Sequence, residues 1–145
     1  MYKHLLLPTD GSPLSEDAIR RGMRFARESG ARVTSLYAMP AFQVLSYHAD
    51  MLEDTREAFD NRMRAEAKRA LAFAQQAAQQ EGLVCETVSH TSEHPYQAII
   101  QTARDHGCDL IFMASHGRRG IEGLLLGSET QKVLTHSKIA VLVHR

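Results

Sequence analysis

Two periods of hydrophobic and polar positions take turns along this chain. Tyr2 to Pro8 is a compact apolar run, closed by the turn residues Thr9-Asp10-Gly11-Ser12-Pro13, and predicts a first strand. Ser12 before Pro13 is a helix start: a hydroxyl that can cap, then a proline whose missing N–H costs nothing at the first helical position. Ala18, Ile19, Gly22, Met23, Phe25 and Ala26 then recur at helical spacing until Gly30. Arg32 to Met39 predicts a second strand, stopped by Pro40. Residues 40–53 carry no clean period. Asp54 to Glu81 is rich in Ala, Glu, Arg and Gln and predicts a long helix, stopped by Gly82. Leu83 to His90 predicts a third strand. Pro95 opens a helix carried by Ala98, Ile99, Ile100 and Ala103 and closed by Gly107. Asp109 to Ala114 is apolar on both faces, as in a buried parallel strand. Ser128 and Gln131 have the spacing of a capping box for a short helix through Thr135. Ile139 to Val143 predicts a last strand.

Strand and helix alternate throughout, which predicts an α/β fold: a doubly wound parallel sheet with helices on both faces. Ligands of such sheets bind beyond the carboxyl ends of the strands, where the strand order reverses. Three loops therefore carry the expectation of function: Pro8 to Ser12, Ala38 to Pro40, and Ala114 to Ser128.

Length and composition narrow this further. At 145 residues the chain predicts one domain spanning 1–145. Lys plus Arg equals Asp plus Glu at 17 each, so the chain lacks the positive excess that nucleic-acid and anionic-membrane binding rest on. That balance still permits one small anion in a local pocket. Cys85 and Cys108 form no Cys-x-x-Cys pair and read as buried structural thiols. No apolar stretch approaches the ~20 residues of a membrane span, and the opening run is too short for a signal peptide. A cytoplasmic location is expected.

The loop after the fourth strand holds most of the candidate chemistry. Gly117, Gly120, Gly123 and Gly127 are more glycines than one turn needs, and glycine lets a phosphate approach backbone N–H groups. The loop is neither a Walker A sequence nor G-x-G-x-x-G. His116 can donate to a phosphate, and Arg118 and Arg119 can add charge at the rim or remain solvated. Ser115 and His116 are adjacent and are expected to point apart, which leaves no Ser-His-Asp constellation. Ser128 can cap its helix or contact a phosphate, whereas the charge of Glu129 beside it opposes an anion unless it points away. Asp10, at the end of the first strand, either accepts from a ribose or base or closes its own Asp-Gly-Ser turn. The eight histidines are scattered without neighbouring ligands at metal-site spacing, so no metal site is expected. The charged helix 54–81 reads as a solvated face. The last strand ends at a sheet edge, and an apolar edge is commonly removed by pairing with a second copy.

Several of these segments together resemble the universal stress protein family. They are Leu6-Leu7-Pro8-Thr9-Asp10-Gly11-Ser12, Gly107-Cys108-Asp109-Leu110-Ile111, Ser115-His116-Gly117, Leu124-Leu125-Leu126-Gly127-Ser128, and Val133-Leu134 with Val141-Leu142-Val143. The resemblance implies five parallel strands in order 3-2-1-4-5 and a homodimer through the last strand, Ile139 to Val143. Some family members bind ATP and others do not. The ATP-binding pattern is Gly, two residues, Gly, nine residues, then Gly and Ser or Thr. Gly117 and Gly127-Ser128 match it, but Ala114 stands in place of the first glycine. Alanine is strained there if the position needs a positive φ; otherwise only its extra volume is felt. By similarity Asp10 is the ribose or adenine contact and Ala38 a backbone contact to the adenine edge. Ser115, His116, Gly117, Gly127 and Ser128 form the phosphate cradle, with Glu129 an awkward neighbour. Pro8, Thr9 and Ala114 complete the expected cofactor-binding set.

The leading expectation is thus a cytoplasmic, homodimeric stress-response switch that binds adenine nucleotide, ATP with or without magnesium. Occupancy would change the dimer or the 40–53 segment. The alternatives are an interaction module of the same fold with an empty cleft, and a slow ATPase. Hydrolysis needs a positioned water, a base and usually a metal. Beyond Asp10 and His116 no such set is visible, so no catalytic residue is assigned.

Overall fold

A computed structural model describes residues 1–40, 49–117 and 126–145, with side chains described from residue 56 in the second helix. Most of the period-free stretch 40–53, and Arg118, Arg119, Gly120 and Gly123, lie outside the described residues. The chain forms β1 (His4–Thr9), α1 (Pro13–Ser29), β2 (Arg32–Pro40), α2 (Ala49–Gln80), β3 (Cys85–Ser92), α3 (Pro95–Asp105), β4 (Leu110–Ala114), α4 (Ser128–His136) and β5 (Ala140–His144). The strands make a five-stranded sheet in order β3-β2-β1-β4-β5, and every neighbouring pair is parallel.

The period of two along the strands divides the core. Leu5, Leu7, Val33, Leu110, Phe112 and Ala114 face α1 and α2, meeting Ala18, Ile19, Met23, Ala74 and Ala78. Leu6, Leu36, Ile111 and Met113 face the other way, onto Ile99 and Ala103 of α3 and Val133 of α4. β1 is buried along its whole length because it lies between both layers. α1 approaches it closely at Gly22, where a Cβ would stand 2.6 Å from Leu7 Cδ2. Trimming a fully buried leucine such as Leu7 in such a core costs about 2–5 kcal/mol.

α1 begins and ends on the expected residues. The Ser12 hydroxyl accepts from Ser15 N at 3.3 Å, and Gly30 closes the helix at φ +68°. Other boundaries moved, each for a local reason. α2 starts at Ala49, before Asp54, because Ala, Met, Leu and Glu propagate a helix without an apolar stripe. Leu83 is not in β3: its N–H reaches back to Ala78 O at 2.8 Å and finishes α2. β3 instead runs on to Ser92, which registers with Pro40. The capping box of Ser128 with Gln131 does not form. Gly127 is the cap residue of α4, with extended φ −70° and ψ 161°, and the Gln131 amide turns to Leu126 O at 3.2 Å. The cap moved because the N–H of Gly127 is pinned to Ser115 O at 2.7 Å, which already sets the chain at the entry of the helix.

Candidate functional site

The carboxyl ends of β1, β2 and β4 meet in one place. Thr9 registers with Tyr37, so Asp10 and Ala38 follow side by side one step further along adjacent strands. Ala38 is half-buried against the α3 layer. Beyond Pro8, the Thr9 hydroxyl accepts from Gly11 N at 3.0 Å, and Gly11 takes φ +78° to turn the chain into α1. Asp10 Oδ1 accepts from Ser12 N at 2.9 Å and from Ser15 Oγ at 2.8 Å. One carboxylate oxygen therefore closes the turn. The other, Oδ2, lies against Gly117 from the β4 loop, so closely that a Cβ on Gly117 would overlap it. Gly117 is a glycine for space: its φ is not in the positive region.

β4 delivers Ala114 and Ser115 to the same end. Ala114 is buried and its methyl belongs to the core layer under α1. No non-glycine residue among those described has a positive φ, so alanine carries no backbone strain here. Its carbonyl accepts from Thr130 Oγ1 at 3.0 Å. Ser115 is buried, and each of its polar groups is used. Its N–H donates to His144 O at 2.8 Å, its carbonyl accepts from Gly127 N at 2.7 Å, and its hydroxyl lies 2.9 Å from His116 Nδ1. The adjacent Ser115 and His116 side chains thus meet, against the expectation that they point apart, because the chain leaves the extended conformation just after β4. On β5, His144 also binds Asp17 of α1 at 2.6 Å, and this hydrogen bond holds the Asp17 carboxyl below the usual carboxylate range.

α4 begins where the loop returns. A Cβ on Gly127 would come within 3.3 Å of Ser115 O and 3.4 Å of His116 Cα, so the loop backbone packs directly on the helix entry. Ser128 is the exposed first residue of α4. The first N–H groups of a helix have no carbonyl one turn ahead, and they carry the positive end of its dipole. Glu129 does not face this end. Its Oε2 accepts from Tyr96 N at 2.9 Å, at the start of α3, and its Oε1 lies 3.4 Å from Lys132 Nζ. Thr130, not singled out from the sequence, is buried and ties the first turn of α4 to β4. Its signal was the three-residue spacing to Val133, which places both on the buried side of the helix.

The structure therefore brings Asp10, Ala38, Ala114, Ser115, His116, Gly117, Gly127 and Ser128 to one edge of the sheet and turns the carboxylate of Glu129 away. Among the described residues, no group of three or more His, Cys, Asp or Glu side chains is disposed to hold a metal. Cys85 and Cys108 are buried free thiols, and burial pushes both pKa values up to about 11. No helix of the described residues is long and apolar enough to cross a membrane. Two open cavities lie elsewhere. One, of about 360 Å³, sits on α2 between Arg56 and Arg64; the other, of about 530 Å³, borders His90, Tyr96, Arg104 and His136. Both are shallow; the first is bounded by side chains of α2, the second by side chains of β3, α3 and α4. The backbone contacts at the carboxyl edge are a better guide to a site.

Comparison with known proteins agrees with this architecture. A model of the universal stress protein family matches residues 1–145. A universal stress protein of Thermus aquaticus is 32% identical over 148 residues, covering 100% of each chain. The structure of universal stress protein UspA from Lactobacillus plantarum superposes with a TM-score of 0.85 at 26% identity, covering 99% of this chain and 98% of that one. The crystal structure of a universal stress protein in complex with cAMP superposes with a TM-score of 0.72 at 27% identity, covering 99% and 97%.

Proposed function

Since the chain belongs to the universal stress protein family, we propose that the carboxyl edge of its sheet binds an adenine nucleotide, ATP with or without magnesium. The chain would act as a homodimeric stress-response switch in the cytoplasm. The observation that carries this reading is the pair of close backbone approaches. Gly117 lies against Asp10, and Gly127 against Ser115 and His116, at the mouth of α4. A loop packed this tightly leaves its N–H groups accessible only if its residues are small, and that is the requirement for cradling phosphate oxygens. A family neighbour in complex with cAMP supports the nucleotide class.

In this reading Asp10, with Pro8 and Thr9 behind it, contacts the ribose or base, and the backbone of Ala38 meets the adenine edge. Gly117 and Ser128 hold the phosphates with their N–H groups, Gly127 shapes the helix entry with its own N–H on Ser115 O, and His116 donates from the rim. Ser115 acts indirectly: with its polar atoms engaged, it holds the loop in shape. The methyl of Ala114 lies in the core layer, and Glu129 is paired with α3. Both residues are therefore compatible with an occupied site. The homodimer would form through β5, an outer strand of the sheet whose residues are half-buried or exposed.

The test is thermal melting with ATP, AMP and cAMP, each with and without magnesium. A ligand at about 100 times its Kd adds ~2.7 kcal/mol, a rise of several degrees for a chain of this size. The expected result is such a rise with at least one of them, and sedimentation velocity at two copies per particle. No shift with any of the three would overturn the nucleotide reading, and a monomer at micromolar concentration would overturn the dimer.

A further inference from the structure

α3 opens without a cap of its own. His94, at its N-cap, makes no side-chain cap hydrogen bond, and Pro95 at the first position has no N–H. The next N–H, that of Tyr96, is taken by Glu129 Oε2 at 2.9 Å. Glu129 thus belongs to the first turn of two helices: its backbone to α4, its carboxylate to α3, where the helix dipole favours a negative charge. The rest of this face of α4 follows the same neighbour. Lys132 Nζ lies 5.7 Å from the centre of the Tyr96 ring, and the ring of His136 lies 5.3 Å from it.

On its other side the start of α4 is held by two bonds to β4 and its loop, Thr130 Oγ1 to Ala114 O at 3.0 Å and Gly127 N to Ser115 O at 2.7 Å. Buried Val133 packs the middle of the helix into the core. The bond from Glu129 to Tyr96 adds a further hold on its first turn, from a different element.

We propose that Glu129 is a positioning residue for the site at the mouth of α4. By capping α3 it fixes the orientation in which Gly127 and Ser128 meet a nucleotide. The inference rests on the nucleotide reading of that site. It gives the carboxylate a role other than repelling phosphate, because its charge is taken up by the start of α3 and by Lys132.

The test compares Glu129→Gln with Glu129→Ala, using ATP and magnesium as the probe in calorimetry at 25 °C. Glutamine keeps an oxygen for Tyr96 N and should bind within about twofold of the parent chain. Alanine should bind about tenfold more weakly, the equilibrium equivalent of one lost charge-assisted hydrogen bond. Unchanged affinity in Glu129→Ala, whatever its melting temperature, would overturn the proposal. Equal weakening in both variants would also overturn it, since charge and not position would then be at work. A second readout needs no ligand. Hydrogen exchange at the Gly127 amide, bonded to Ser115 O, should speed up in Glu129→Ala and stay unchanged in Glu129→Gln. If the parent chain takes no nucleotide, the binding reading fails by itself, and the Gly127 exchange still decides the positioning role: no acceleration in the alanine variant overturns it.

Discussion

The two edges of the sheet are built by opposite means. At the amino edge, side chains close the structure. The Asp109 carboxylate accepts from Lys3 N at 3.1 and 2.9 Å and from His4 N at 3.0 Å, and Asp109 N donates back to His4 O at 2.9 Å. The buried His4 ring bonds the Thr34 hydroxyl at 2.8 Å, and Glu86 lies 3.5 Å from both that hydroxyl and His106 Nδ1. At the carboxyl edge, backbone meets carboxylate at Gly117, where a Cβ would not fit, and backbone meets backbone at Gly127, where a Cβ would be tight. One edge is closed by side-chain acceptors on backbone donors. The other, beside its own bonds at Asp10 and Ser115, is shaped by missing side chains, which lets a ligand approach the main chain. The contrast separates a part of the molecule that serves stability from a part that serves recognition.

The largest effect expected on this contrast comes from Gly117→Val. Its Cβ would overlap Asp10 Oδ2, so the loop or the carboxylate must move. We expect nucleotide affinity to fall about 100-fold, ~2.7 kcal/mol, with melting lowered by only a few degrees because the residue is exposed. Affinity equal to the parent's in calorimetry would show that the close approach is not part of the site.

Asp109→Ala should do the reverse. It removes the acceptor for the N–H groups of Lys3 and His4 at an exposed position, which we expect to cost about 1–2 kcal/mol in urea unfolding. Nucleotide affinity, one sheet length away, should be unchanged. A matching loss of affinity would mean that the two edges are coupled and the separation is wrong.

The smallest effect is a slope with pH. Burial first, and then the charge of Arg32, lower the pKa of His4 below its ordinary value, against the opposing pull of Glu86; His106 lies near as well. Folded His4 therefore holds a proton less tightly than unfolded His4. Stability is full above the unfolded value of about 6.5 and declines as pH falls from there toward the folded value. Urea unfolding at pH 7.5 and 5.5 should show this decline, reduced in His4→Gln. An identical slope in the variant would remove His4 as its source.

Much of this molecule was readable in advance, and the reasons are local. Apolar period, Ser12-Pro13 and Gly30 specified α1 to the residue, since a helix is bounded by groups within one turn of its ends. The strands were legible as apolar runs, and their order came from resemblance, not from pattern. Boundaries failed where a distant partner intervened. The cap of α4 moved to Gly127 because Ser115, at the end of β4, takes its N–H. Among candidate site residues, Asp10 proved to do two things at once, which its sequence neighbourhood could only state as alternatives. Thr130 was overlooked because a threonine inside a helix gives no sign of which carbonyl its hydroxyl will find.

The sequence by itself determined the alternation of strands and helices and the glycine spacing of the β4–α4 loop, because both depend on near neighbours and on the absence of a side chain. Only the tertiary structure decided what the two doubtful residues do. Whether Ala114 is strained depends on its φ and on where its methyl packs, and it packs in the core layer under α1. Whether Glu129 opposes an anion depends on where its carboxylate ends, and it ends on Tyr96 N. A side chain's charge is written in the sequence, but its direction is set by the nearest unsatisfied donor. That donor, on α3, is 33 residues away along the chain.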